Sequence, residues 1–412
     1  MKRRRLLVLL AALPIALATL PPSAGPAEPL GTLCLVCGTR GAADIILNVA
    51  LFAPFGAALA FWLRRERLAP VALGALVSIG IETLQLVIPG RDPNPGDVLA
   101  NTLGAALGAG LVRLAPAWIA PARPRARGLG AAALLGAGVT VAATGALLRP
   151  ALPDTVYYGQ WTADLGYLEH YRGRVLDARV GDAAVPSRRF DDSDRLRDLI
   201  ARGAPIRVTA IAGPRPTALA PIFSIYDDRR QEVLLLGADR DDLVFRYRTH
   251  GVRVRLDRPD LRLPGVLRGI RGGDMIRLAV ERAGPGQALC LSAGDRHSCD
   301  VGFTAGRGWG LLLYREAIPG YGKRALDLAW LAALFAPAGF WLRRGREPVA
   351  AATLAVTGLV LIPPAAGLLA TPPIEIAAAL VGIGAGTAAG RAAGHAGRRF
   401  RGFPPPAAGQ GG

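Results

Sequence analysis

The sequence predicts a polytopic α-helical membrane protein of about eight spans that carries one all-β sandwich domain outside the cytoplasm. Three observations lead there. Of the 412 residues 51% are hydrophobic, the mean hydropathy is +0.31, and the apolar runs gather near both ends around a long polar middle. The middle changes periodicity, from helical runs to short alternating segments broken by Gly, Asp-Asp and Arg-Pro turns. The net charge of +18 is unevenly placed: residues 151–323 hold 27 Lys+Arg against 22 Asp+Glu, and the rest of the excess lies in short stretches beside apolar segments. That placement is a topology signal and excludes a nucleic-acid footprint.

The spans follow in order. Lys2 to Arg5 precede Leu6 to Leu20, an apolar run ending in LPPSAGPAEP, which reads as a first membrane helix or as a secretory signal. Ala43 to Leu63 is the second span and stops at Arg64, Arg65 and Arg67. Ala69 to Ile88 is the third, and Asp97 to Leu114 the fourth, with PGRDPNPG between them. Gly128 to Leu148 is the fifth. Beyond the polar middle come Ala325 to Leu342, Val349 to Leu369 and Ile374 to Gly390. The expected units are thus residues 1–120, a lone helix at 128–148, a β domain at 150–323, a three-helix unit at 325–390 and a basic tail at 391–412.

Alternating sides along eight spans puts residues 2–5, 64–67, 113–127, 343–346 and 391–401 on one face, where they carry 18 Lys+Arg. The opposite short loops hold only Arg40, Arg91, Arg149 and Arg324. The positive-inside rule then places both termini in the cytoplasm and residues 150–323 outside it.

Within the third and fourth spans, polar residues interrupt apolar sequence. Glu82 and Gln85 are three apart, Asp97 and Asn101 four apart, so each pair shares a helix face. The PGRDPNPG link is a reversal that brings the two pairs to similar depth, with Asn48 near the same end of the second span. A carboxylate in hydrocarbon costs roughly 2.5–3.5 kcal/mol on insertion scales, so it turns to other protein or to a wet cavity. Amides here also serve as interhelical glue and Asp97 as a helix cap; Glu82 has no such explanation, and Arg91 is within snorkelling reach of Asp97 or Glu82.

These residues carry a resemblance. NVALFAPFG (Asn48 to Gly56), IETLQLVIPGR (Ile81 to Arg91) and GDVLANTLGAALG (Gly96 to Gly108) resemble, in order and spacing, the VanZ-like family of small bacterial membrane proteins. The resemblance covers about residues 1–120. It implies a multi-pass protein of the bacterial inner membrane, with Asn48, Glu82, Gln85, Asp97 and Asn101 as the polar constellation. It also implies a link to glycopeptide (teicoplanin-type) antibiotic resistance, without settling a molecular activity.

A second copy is visible. ALFAPAGFWLRRGRE (Ala333 to Glu347) repeats the wording of ALFAPFGAALAFWLRRER (Ala50 to Arg67), and TPPIEIAAALVGIGAG parallels NPGDVLANTLGAALG. Asp327 and Glu375 are expected to echo Asn48 and Asp97, and nothing echoes Glu82, Gln85 or Asn101.

In the middle, strands are expected at Ile206 to Ile211, Pro221 to Tyr226, Glu232 to Gly237, Leu243 to Arg248, Val252 to Leu256, Met275 to Glu281, Gln287 to Ser292 and Trp309 to Tyr314. Ala220 to Arg248 resembles the core hairpins of concanavalin A-like/laminin-G jelly rolls, which implies a surface for a glycan or a protein. Cys290 and Cys299 flank a hairpin tip and read as a cross-strand disulfide. Cys34 and Cys37 fit a tight disulfide, with a redox pair or a metal site as alternatives.

No cofactor and no metal is expected. His170, His250, His297 and His395 lack zinc spacing, and no nucleophile elbow or P-loop occurs. The groups Asp227/Asp228, Asp239/Asp241/Asp242 and Asp191/Asp192/Asp194 read as solvated turns before calcium ligands. Tyr157, Tyr158, Trp161 and Tyr167 read as interfacial anchors. Expected partners are membrane lipids and, through residues 150–323, a cell-wall or surface glycan or an envelope protein. Three function classes remain: an envelope protein holding a lipid head group or lipid-linked glycan at Asn48, Glu82, Gln85, Arg91, Asp97 and Asn101; a membrane-embedded hydrolase or transferase with Glu82 and Asp97 as catalytic groups; and a transporter, which polar groups confined to one half of the spans support poorly.

Overall fold

The computed structural model describes residues 2–22, 35–36, 38–63, 67–91, 93–283, 288–313, 318 and 320–401. Long helices stand where the apolar runs are. They are α1 (Lys2–Thr19), α2 (Gly41–Trp62), α3 (Ala69–Gln85), α4 (Pro95–Arg113), then a short α5 (Ala115–Ile119) that the sequence did not suggest, and α6 (Arg123–Leu148). After the β domain, which contains the short helices α7 (Ser193–Ala201) and α8 (His250–Arg253), come α9 (Gly320–Trp341), α10 (Glu347–Ala366) and α11 (Pro373–Arg401). By length and composition α2, α6, α10 and Pro373–Gly394 of α11 are long and apolar enough to cross a membrane; α3 is a shorter apolar helix.

The helices form two sets. In the first, α2 lies along α4, with α3 against α4 and α1 against α2; in the second, α9 lies along α11 and α6 packs on α9 and α10. Small residues set the spacing of each central pair. A methyl group at Gly104 would overlap the Val49 carbonyl, at Gly108 that of Ala53, and at Gly56 the backbone of Ala105. In the second set, Gly382 meets the Ala332 carbonyl, Gly386 that of Ala336, and Gly339 that of Ile383. The two lists are in register: Val49, Ala53 and Gly56 correspond to Ala332, Ala336 and Gly339 at one constant separation, and Gly104, Ala105 and Gly108 to Gly382, Ile383 and Gly386 at another. Buried Phe52 and Phe335, and the in-helix Pro54 and Pro337, fall into the same alignment. In this register Asp327 stands for Asp44, and Leu331 takes the place of Asn48. Helix α6 packs on α9 and α10, α1 on α2, and the β domain lies between α6 and α9 in the chain.

The β domain is built from two antiparallel sheets. One has the order β1 (Tyr158–Trp161), β5 (Leu219–Tyr226), β6 (Glu232–Asp239), β7 (Asp242–Tyr247), β8 (Leu261–Leu263). The other runs β11 (Arg296–Val301), β10 (Leu289–Ala293), β9 (Met275–Arg282), β4 (Ile206–Ile211), β2 (Arg174–Val180), β3 (Ala183–Ala184). A single apolar core joins Val208, Leu278 and Leu291 of one sheet to Ile222, Leu234 and Phe245 of the other, and extends to Leu331, Phe335 and Ile383 of the second helix set. Strand β5 is buried along its whole length. Leu168 packs on Leu219 of β5, Leu235 of β6 and Val244 of β7, from a loop whose Glu169 accepts hydrogen bonds from the Thr217 hydroxyl and from the Thr217 and Ala218 amides, each at 2.8 Å.

Two expected strands are absent. Val252 to Leu256 starts within α8 and continues as a turn, its VRVRL alternation notwithstanding, and Ala305–Leu311 is a 3-10 helix, with Tyr314 outside the described residues. Tyr157 is no interfacial anchor: it is fully buried and its hydroxyl donates to the Pro153 carbonyl at 2.8 Å. Trp161 likewise donates its ring N–H to Val185 O at 3.0 Å. The aspartate groups are engaged by protein. Asp227 pairs with Arg248, Asp239 with Arg262, Asp241 with Arg215, and Asp192 caps α7.

The β domain rests on one end of both helix sets. On the first, the Ala42 amide donates to Arg255 O at 3.2 Å, Arg40 pairs with Asp257 at 3.4 Å, and the Arg255 guanidinium reaches Val36 O. Behind that contact a buried ion network runs through the sheet: Arg246 to Asp260 and Glu232, Arg258 to Glu232 at 3.0 Å, and Arg262 to Asp260 at 3.4 Å. Burial pushes the Asp260 carboxyl up, but Arg246, Arg262 and Arg258 outweigh it and hold the group below the usual carboxylate range. For Asp257, burial wins over Arg40 and the group lies above its ordinary value.

Candidate functional site

The polar residues of the first set meet at the helix ends that face the β domain. Helix α4 starts there because Asn94 caps it, accepting from the Gly96 amide at 2.8 Å, with Pro95 preset for the first turn. Asp97 therefore lies inside the first turn and is not the cap. Its carboxylate takes a hydrogen bond from Asn48 of α2 and lies close enough to Asp44 for the two charges to repel; Asn94 Nδ2 approaches it at 3.5 Å. One turn deeper, buried Asn101 donates to Ser78 Oγ of α3 at 2.9 Å, and its Oδ1 has no hydrogen-bond partner among the described residues. Glu82 Oε2 accepts from the Asn94 amide at 2.7 Å, which ties the end of α3 to the cap of α4.

Two further residues turn toward α1. Gln85 Nε2 donates to Thr19 O at 3.0 Å, and Arg91 donates to Ala18 O and Pro21 O, both at 3.0 Å. They clamp the α3–α4 link onto the first helix and satisfy carbonyls at its C-terminal end. Arg91 thus does not pair with Asp97 or Glu82. Of the residues the sequence singled out, Asn48 and Asp97 meet across the α2/α4 seam, Asn101 joins α4 to Ser78 of α3 one turn deeper, Glu82 braces the rim, and Gln85 and Arg91 brace α1.

The second set shows the same place filled. Glu375, in register with Asp97, is buried; Thr304 Oγ1 donates to its Oε1 at 2.5 Å and the Gly306 amide to its Oε2 at 2.9 Å. Trp309 donates its ring N–H to Asp327, in register with Asp44, at 2.7 Å. All three donors come from the stretch Thr304–Trp309, whose 3-10 helix lies over the ends of α9 and α11. It approaches closely because a side chain at Gly306 would meet the Glu375 carboxylate, and one at Gly308 the Thr144 and Trp330 side chains. A hydroxyl, an amide N–H and an indole N–H are thus the groups this acidic pair accepts.

Sequence reasoning passed over Asp44, Ser78, Asn94, Thr304 and Trp309. Asp44 sits in the first turn of α2, where an acidic residue reads as a dipole partner. Its one available signal was the alignment with Asp327. The Cys290–Cys299 disulfide is formed across the β10–β11 hairpin, whereas Cys34 and Cys37 lie outside the described residues. Among the described residues no three His, Cys, Asp or Glu side chains gather as a metal site.

No curated protein and no solved structure matches the chain. Residues 15–116, which run from the last turn of α1 through α4 and contain Asp44, Asn48, Glu82, Asp97 and Asn101, match the VanZ/LLP1 family model, so this stretch carries a VanZ/LLP1 domain.

Proposed function

We propose that this is a bacterial inner-membrane envelope protein that holds the polar head of a lipid or lipid-linked glycan at the Asp44–Asn48–Asp97–Asn101 seam. In this reading the protein has eight spans with both termini cytoplasmic, and the β domain, a jelly roll of concanavalin A-like type, stands outside. Arginines at the helix ends away from the β domain, among them Arg113, Arg123, Arg343 and Arg391, support that orientation. The observation that supports this reading is the filled second site: Glu375 and Asp327 accept hydroxyl and N–H donors from Thr304–Trp309, whereas at the equivalent position Asp97 meets, among the described residues, Asn48 and Asn94 of its own helix set. Sugar hydroxyls and amide N–H groups of an envelope precursor offer the same donors. Binding of that kind fits a role in envelope maintenance and in glycopeptide resistance.

The test is lipid analysis of the purified full-length protein beside Asp97→Ala and Asp44→Ala. A head-group class retained by wild type and depleted from both variants is the expected result. The same lipids on all three would return the seam to helix packing.

A further inference from the structure

The β domain contains a cavity that the seam does not explain. It measures about 380 Å³ and opens between the two sheets at the end where α6 enters the domain. Ile206, Val233, Leu234, Phe245 and Val280 form a buried apolar floor, with Ile200, Ala204 and Leu289 partly exposed around it. The polar members of the lining are Arg149, Tyr247, His250, Glu281 and Arg282; the Tyr247 hydroxyl donates to Leu148 O at 3.3 Å, and the two arginines are exposed and mark the mouth. Glu281 is neutralised by Arg207 at 2.8 Å, which leaves the mouth cationic. Arg149 follows directly on α6 and donates to Ala366 O and Ala365 O, at 3.1 and 3.3 Å, where α10 ends. The mouth therefore sits at the level where apolar helices terminate, beside the head groups of any bilayer they cross.

An apolar cavity of this size with a few convergent polar groups is built for a small ligand. A floor of branched and aromatic side chains offers no hydrogen bonds to a sugar, so the occupant is hydrocarbon. Its head remains at the mouth, where Arg149 and Arg282 favour negative charge. We propose that this cavity takes the fatty acyl chain of an anionic membrane lipid, drawn from the leaflet on which the β domain rests. The site is separate from the Asp97 seam and stands whether or not that seam binds a ligand.

The experiment uses the full-length protein in nanodiscs with a photoactivatable palmitate analogue and maps labelled peptides by mass spectrometry. Labelling of the segments around Val233–Phe245 and Val280–Leu289 is expected. Ala204→Trp and Leu289→Trp, which fill the cavity from opposite sides, should each lower that labelling at least tenfold, and Arg282→Glu should lower it several-fold. An intact Cys290–Cys299 disulfide and an unchanged melting temperature report that each variant is folded. Unlabelled anionic lipid should compete better than zwitterionic lipid. Label confined to the helices, or persisting in both folded Trp variants, would overturn the proposal; equal competition by the two lipids would overturn its anionic part.

Discussion

Asp97 and Glu375 hold the same position in two helix pairs, each packed through backbone contacts of small residues, yet among the described residues only Glu375 is capped by a segment from outside its helix pair. Thr304 and Gly306 donate to both of its oxygens. Asp97, at the matching turn of α4, is hydrogen-bonded by Asn48 of its own helix set. One chain thus presents two versions of a single acidic site, and among the described residues only the Glu375 version is covered by a separate segment.

The closed version should be structural. Thr304→Val removes the hydroxyl donor and leaves a buried carboxylate short of one partner, at a cost of roughly 1–3 kcal/mol. Thermal unfolding in detergent should show a lower midpoint, and the lipids bound at the Asp97 seam should be unaffected. An unchanged midpoint would mean that the Glu375 contact carries no weight.

The two seams should respond alike to bulk. Gly108→Val and Gly386→Val each push a side chain into a facing carbonyl and should cost at least the roughly 1–3 kcal/mol of core overpacking, seen as lost monodisperse protein on size exclusion. Gly110, in the same helix but with open space around its Cα, tolerates Ala, with a gain of up to about 1 kcal/mol from helix propensity. A Gly110→Ala loss as large as that of Gly108→Val would contradict the packing account.

Acid should weaken the β domain through Asp260. Its carboxyl is held below the ordinary range when folded, so the ionised form stabilises the fold. That contribution is complete above the unfolded value of about 3.9 and drains away as pH falls toward the folded value. Asp260→Asn removes one partner of a buried pair and should cost about 3–5 kcal/mol at neutral pH. The variant's melting temperature should then vary less between pH 5 and pH 3 than that of wild type. Parallel curves would exclude Asp260 as the acid-sensitive group.

The helical part was legible because apolar runs of that length have few other uses, and Asp97, Asn48 and Asn101 stood out as polar breaks within them. The β domain was legible at its centre, where β4, β5, β6, β7 and β9 are apolar or alternate cleanly. It was illegible at its margins: β11, RHSCDV, is polar enough to read as a loop, and β1 and β8 are short edge strands fixed by pairing with β5 and β7. The stretch Trp309 to Tyr314 reads as a strand by composition, but its start belongs to the 3-10 helix Ala305–Leu311, whose glycines at 306, 308 and 310 let it wind tightly against α9 and α11. Asp44 was hidden because an acidic first-turn residue is ordinary in any helix, and only its register with Asp327 in the second helix set marks it out.

The most direct measurement is native mass spectrometry of the detergent-extracted full-length protein with its co-purifying lipids, wild type beside Asp97→Asn and Thr304→Val. A defined lipid or lipid-linked glycan held by wild type and Thr304→Val but lost from Asp97→Asn is the predicted result. The same lipid spectrum on wild type and Asp97→Asn would contradict a ligand site at Asp97.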